Sequence, residues 1–121
     1  MNSPKNILLM SRRAPYGSSA ARDLLDIALT CSVFEQNVAL LLLDDGVLQL
    51  LANQDPQVIQ QKNLNSLQSS LSLYDIEKIY IDADALEHHG LSHSELHIPV
   101  TLLTKIEISQ LIANSDIVLT V

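Results

Sequence analysis

The sequence predicts an α/β protein: a three-layer α/β/α sandwich built on a five-stranded, mainly parallel sheet of the flavodoxin-like class. Three observations carry that expectation. Five short apolar runs recur along the chain: "NILLMS" (6–11), "VALLLL" (38–43), "KIYI" (78–81), "IPVTLL" (98–103) and "DIVLTV" (116–121). Most are continuous rather than alternating, which suits strands covered on both faces. Helical patterns fill the gaps, and parallel strands require such crossovers, which are right-handed.

The elements follow in order. After the first run comes "SRRAPYGSSAARDLL" (11–25), a basic pair, a turn and a helix start. From Ser19 the residues Leu24, Ile27, Ala28, Cys31 and Phe34 recur at helical spacing, and Leu25, Leu29 and Val33 make a second apolar face. A helix apolar nearly all round lies deep in a core or presses against a partner. Behind the second run, "DDGVLQLLANQDP" places Val47, Leu50 and Leu51 on one face of a short helix that begins near Asp45. Asp55-Pro56 has the form of an N-cap followed by a first-turn proline, and Leu64, Leu67 and Leu71 mark a further helical face. Between the fourth and fifth runs, Thr104 and Glu107 form a capping-box pattern ahead of Ile108, Leu111 and Ile112, with Asn114 as the stop.

The 121 residues fit one domain, residues 1–121, with no linker or repeat. Aromatics are 3% of residues, so the core is aliphatic. Seven basic residues against fourteen acidic ones give a formal charge of −7. Nucleic-acid binding depends on neutralising phosphates, and Arg12, Arg13 and Arg22 are the only basic cluster, so no direct nucleic-acid contact is expected. The N-terminus lacks the layout of a signal peptide, and no run approaches the ~20 apolar residues of a membrane span. With Cys31 as its lone thiol, the chain is expected in the cytoplasm.

Four stretches invite chemistry. The loop "APYG" lacks the lysine of a phosphate-binding loop and has one glycine where a dinucleotide fingerprint needs three. Gly17, Ser18 and Ser19 offer backbone amides at a helix start, which attract anions, but a turn with a capping serine accounts for them. "DDG" (44–46) follows the second strand, where open α/β sheets place ligand crevices; capping by an aspartate and a special backbone angle at Gly46 account for it. "HHGLSHSELH" (88–97) holds all four histidines, with His89, His93 and His97 spaced by four, yet Gly90 and the polar run behind it argue against the unbroken helix that a metal site would need. Cys31 lies within the most apolar helical stripe, where a thiol acts as a small apolar residue. No metal and no cofactor are expected.

Taken together, "APYG" after the first strand, "DDGVLQLL" after the second, "LYDI" before the third and "SDIVL" at the end resemble the TusC/DsrF branch of the DsrE-like small sulfurtransferase subunits. The resemblance runs in order over nearly the whole chain. It implies the same five-stranded parallel core and a cytoplasmic heterohexamer containing two copies each of three related subunits, TusB-like, TusC-like and TusD-like. Such a complex passes persulfide sulfur onward, through a downstream carrier, to 2-thiouridine at the tRNA wobble position. The Dsr version (DsrEFH) serves dissimilatory sulfur oxidation instead. The persulfide cysteine belongs to the TusD/DsrE paralogue, just beyond a central strand. In this chain Asp82 corresponds to it, so the chain is expected not to be an enzyme by itself. Tyr16 and Gly17 of the "APYG" loop, with Leu25, Leu29 and Val33 on the second face of the first helix, are the expected subunit contacts. Two readings stand against this one: a free-standing anion- or nucleotide-binding α/β domain, and an enzyme with Cys31 as nucleophile.

Overall fold

Apolar runs with no polar side become strands buried on both faces. The computed structural model describes residues 4–15, 18–51 and 66–121. In β1 (Asn6–Ser11) and β2 (Asn37–Leu42) every residue after the leading asparagine is buried. Strands β3 (Lys78–Asp82), β4 (Thr101–Leu103) and β5 (Ile117–Thr120) complete an all-parallel sheet in the order β4-β3-β2-β1-β5. Among the described residues, helices α1 (Ala20–Val33), α2 (Ala83–His88) and α3 (Lys105–Ala113) accompany it. Three 3-10 turns add to them, Asp44–Leu50, Leu71–Tyr74 and His93–Glu95, and residues 66–69 form a further helical turn.

The layers follow from strand order. From β1 to β4 each strand is laid on the same side of its predecessor, so right-handed crossovers stack every intervening element on one face. There Ala21, Leu24, Leu25 and Ala28 of α1 pack with Val47, Leu71 and Leu86 against Leu9, Leu40 and Ile81 of the sheet. The return from β4 to β5 reverses direction and puts α3 on the opposite face, where Ile108 packs with Leu8, Met10, Leu41 and Leu103. Five strands in three layers match the sequence expectation. The order differs from the 2-1-3-4-5 of flavodoxin itself.

Several local expectations hold in detail. Thr104 and Glu107 close a reciprocal capping box at the start of α3, and Asn114 is its C-cap. Gly90, at φ +68°, ends the helical segment and breaks the histidine run. Others are corrected. The fourth run yields a strand only from Thr101, because Pro99 has no N–H to give the ladder. Phe34 does not extend the apolar stripe of α1; it is the C-cap and is 71% exposed, since Glu35 at φ +61° turns the chain away. Leu51 leaves its turn to make an antiparallel bridge with Leu96. Asp55-Pro56 and Leu64 lie outside the described residues.

The "DDG" segment works differently from the expectation. No aspartate caps the turn: its N-cap is Leu43, with no side-chain capping bond. The left-handed backbone falls to Asp44, at φ +48°, rather than to Gly46. Gly46 is there for space. A Cβ on it would lie 2.3 Å from the Ser11 carbonyl oxygen, so the turn can close over the end of β1 only without a side chain. Behind it the Gln49 amide, 2% exposed, donates to Ser11 Oγ at 2.9 Å and to the Arg13 carbonyl at 2.8 Å, and the Gln68 amide donates to the Gln49 carbonyl at 2.6 Å. Gly46→Ala is expected to destabilise the fold by roughly 1–3 kcal/mol through this overpacking. Gly90→Ala, with open space around it but a positive φ, should cost about 1 kcal/mol. Equilibrium denaturation of both variants checks the ranking, and equal losses would count against the close approach.

Candidate functional site

In an open parallel sheet, ligands collect outside the strand carboxyl ends where neighbouring connections leave toward opposite faces. Here that point lies between β3 and β4. The chain leaves β3 into α2 on one face and leaves β4 into α3 on the other. A cleft of about 300 Å³ opens there, lined by Asp44 and Asp45 behind β2, Asp82, Asp84, His88 and His89 around α2, and Lys105 at the start of α3.

Asp82 is the centre of this cleft. It ends β3, is 2% exposed, and caps α2 by accepting the Asp84 amide on Oδ1 at 3.0 Å. Its Oδ2 accepts from Lys105 Nζ at 2.5 Å. Both oxygens are therefore engaged, as a buried carboxylate requires. The hydrogen bond to Asp82 raises the pKa of Lys105 above its ordinary value of 10.5, with weaker attraction from the charges of Asp82, Asp84 and Asp44.

The remaining polar groups surround that pair. Arg12 reaches Asp44 at 3.0 Å with both side chains exposed, an ion pair of the weak surface kind. His89 Nε2 lies 3.2 Å from Asp45 Oδ1, and the rings of His88 and His89 meet edge to face with centroids 5.6 Å apart. Four lining carboxylates against Lys105, and Arg12 beside Asp44, leave the cleft acidic on balance. Such a lining opposes phosphate and thiolate alike.

The structure separates the other sequence-singled residues. Tyr16 and Gly17 lie outside the described residues. Ser18, not Ser19, is the serine whose Oγ accepts a backbone amide, from Ala20 at 3.3 Å; Ser19 Oγ instead donates to Asp23. Asp23 in the first turn of α1 puts a carboxylate where an anion would sit. Leu25, expected on the outer face of α1, is 3% exposed and belongs to the chain's own core, because α1 rests on the sheet along its 21, 24–25 and 28 positions. Leu29 is half-buried against that same core, and Val33 is exposed. Cys31 is half-buried in the last turn of α1, a little further along the helix than its stripe suggested. That turn leads into the start of β2, so the thiol lies at the end of the sheet opposite the cleft. A helix C-terminus disfavours a thiolate. His93 and His97 are apart from His89: His93 opens its own 3-10 turn, and His97 pairs with Ser69 at 2.9 Å. Among the described residues no group of three or more potential ligands is arranged to hold a metal ion, and no helix is long and apolar enough to cross a membrane.

Lys105 was the residue that sequence reasoning missed. It is 23 positions from Asp82, and only the adjacency of β3 and β4 brings the two together. The one local signal is its place directly after Thr104, the cap of the helix that follows β4.

Comparison with known proteins now bears on the same architecture. Residues 5–121 match the DsrE/DsrF-like family. The intracellular sulfur oxidation protein DsrF of Allochromatium vinosum is 39% identical over 92 residues, covering 76% of this chain and 68% of that protein. A TusC homolog of Pseudomonas aeruginosa is 34% identical over 116 residues, covering 96% and 98%. The crystal structure of the ychN protein from E. coli superposes with a TM-score of 0.82 over 97% of this chain and 99% of that one; at 24% identity it speaks for the fold alone.

The Lys105–Asp82 pair predicts a pH signature. With its folded pKa raised, the ammonium contributes its full stabilisation below the ordinary value of 10.5 and loses it as pH rises through the folded value. Lys105→Met should therefore lower the melting temperature at neutral pH, and the gap to the unmodified protein should close at pH values above 10.5. Thermal melts across the alkaline range test this; a gap that persists unchanged there would mean the ammonium charge is not what holds Asp82.

Proposed function

The chain belongs to the DsrE/DsrF-like family, and on that premise we propose that it is the TusC-type, non-catalytic subunit of a sulfur-relay complex. In this reading it assembles in the cytoplasm with TusB-like and TusD-like paralogues, two copies of each, into a heterohexamer. The complex passes persulfide sulfur toward 2-thiouridine at the tRNA wobble position.

The observation that carries the reading is the state of Asp82. Sulfane sulfur moves when a thiolate attacks the outer sulfur of a persulfide, so every station of a relay needs a thiol. At the end of β3, where the resemblance places the paralogue's cysteine, this chain has a carboxylate with both oxygens already bonded. Its one thiol, Cys31, sits half-buried at the other end of the sheet. The subunit then contributes surface and not a sulfur station. An acidic chain, at −7, suits handing sulfur to proteins better than gripping RNA. Val33 and the exposed edge of Leu29 remain contact residues in this proposal, together with Tyr16 and Gly17; Leu25 does not, being enclosed in the core.

The 39% identity to DsrF also supports a second reading, a DsrEFH-type subunit in dissimilatory sulfur oxidation. Deleting the gene separates the two: loss of wobble 2-thiouridine by mass spectrometry of tRNA supports the first, and intact 2-thiouridine with impaired sulfur oxidation supports the second. The acidic cleft speaks against a free-standing nucleotide-binding domain.

Co-expression with its paralogous neighbours should give a stable mixed oligomer on sizing. Within that oligomer Cys31→Ser should retain most of the sulfur transfer. A persulfide on the isolated chain, with transfer abolished by Cys31→Ser, would overturn the non-catalytic assignment.

A further inference from the structure

At the amino-terminal end of the sheet, opposite the acidic cleft, the chain leaves large apolar side chains in water. Val33 is 66% exposed, Phe34 71%, Leu73 82% and Tyr74 45%. They come from two elements that are tied together: Ser32 Oγ in the last turn of α1 donates to the Tyr74 carbonyl at 2.6 Å. That tie sets Val33–Phe34 and Leu73–Tyr74 at neighbouring ends of the two elements, and exposed apolar residues grouped in this way mark an interaction site, unlike those scattered singly.

The patch adjoins a hollow of about 410 Å³ between the end of α1 and the start of β3. Glu35, Asp75 and Glu77 line it, with Lys78 as the only cation. None of the three carboxylates makes an ion pair among the described residues. The surface therefore combines an apolar platform with a hollow that is acidic on balance, three carboxylates against one lysine.

We propose that this surface docks a sister subunit of the complex, through a face that sets basic side chains beside apolar ones. An arginine or lysine entering the hollow would meet the carboxylates, while its apolar neighbours cover Phe34 and Leu73. A second copy of this chain is a poor occupant. A two-fold contact through the patch would set the same three carboxylates against themselves, on a chain already at −7. The inference rests on the reading of the chain as a complex subunit and adds the place and the charge of the contact.

The test uses the mixed oligomer formed with the two paralogues, titrated to give an apparent affinity for this subunit. One variant combines Phe34→Asp with Leu73→Asp, and a second combines Glu35→Lys with Glu77→Lys. The control is Ile106→Asp, which changes an apolar residue that is 72% exposed on α3. All the altered side chains are exposed, so thermal melts of the isolated variants should match that of the unmodified chain. Both double variants should weaken assembly on the order of tenfold or more, as loss of central contacts does. The control should assemble normally. Added salt should weaken the unmodified complex and affect the lysine variant much less. A mixed oligomer that forms and tolerates both double variants overturns the docking surface and leaves the subunit assignment standing. Failure of the unmodified chain to form any mixed oligomer overturns the subunit assignment and the docking surface together.

Discussion

The handedness of the crossovers governs this molecule more than any single contact does. Because β1 to β4 are laid down in one direction, α1, the Asp44–Leu50 and Leu71–Tyr74 turns and α2 must share one face. Among the described elements α3 alone is left for the other. The same constraint forces the connections behind β3 and β4 apart, which opens the cleft. It also brings the last turn of α1 down beside the Leu71–Tyr74 turn at the amino-terminal end. Cleft and patch are two ends of one topological decision.

The ends differ in character because different physics acts at each. At the carboxyl end, buried Asp82 must be satisfied, and the start of α2 and the tip of Lys105 converge to do it. The pair closes the gap that topology opened between α2 and α3. The nearby Arg12–Asp44 pair, exposed on both sides, contributes little by comparison. At the amino-terminal end nothing in the described chain covers Phe34 or Leu73, and the carboxylates of Glu35, Asp75 and Glu77, which outnumber the one lysine beside them, make no ion pair among the described residues. One end is resolved within the chain, and the other is left open.

What the sequence made legible was local. Continuous apolar runs located β1, β2, β3 and β5 to within about a residue. The Thr104–Glu107 box and Asn114 bounded α3, because capping is written in adjacent residues. What stayed hidden depends on contacts across the chain. Gly46 looked like a conformational glycine, while its role is set by the Ser11 carbonyl, 35 positions earlier in a different strand. Leu25 and Leu29 looked like an outer face because periodicity counts apolar residues without saying how much of the helix the sheet covers. Phe34 obeyed the helical spacing but fell one residue beyond the helix. The Asp82–Lys105 pair is written 23 positions apart, and beyond the Thr104 cap beside Lys105 nothing in a linear reading joins them.

Residue 82 shows why structural and chemical duties compete at the end of β3. A carboxylate there caps α2 and anchors Lys105, and each duty needs an acceptor oxygen held in place. A thiol is a weak acceptor and, when neutral, offers the ammonium no counter-charge. Were it ionised to carry sulfur, it would have to sit among Asp44, Asp45 and Asp84, whose charges oppose a thiolate. The latch and its acidic neighbours therefore disfavour a thiolate at this position. The acidic residues around the cleft and the carboxylate within it are consistent parts of one arrangement.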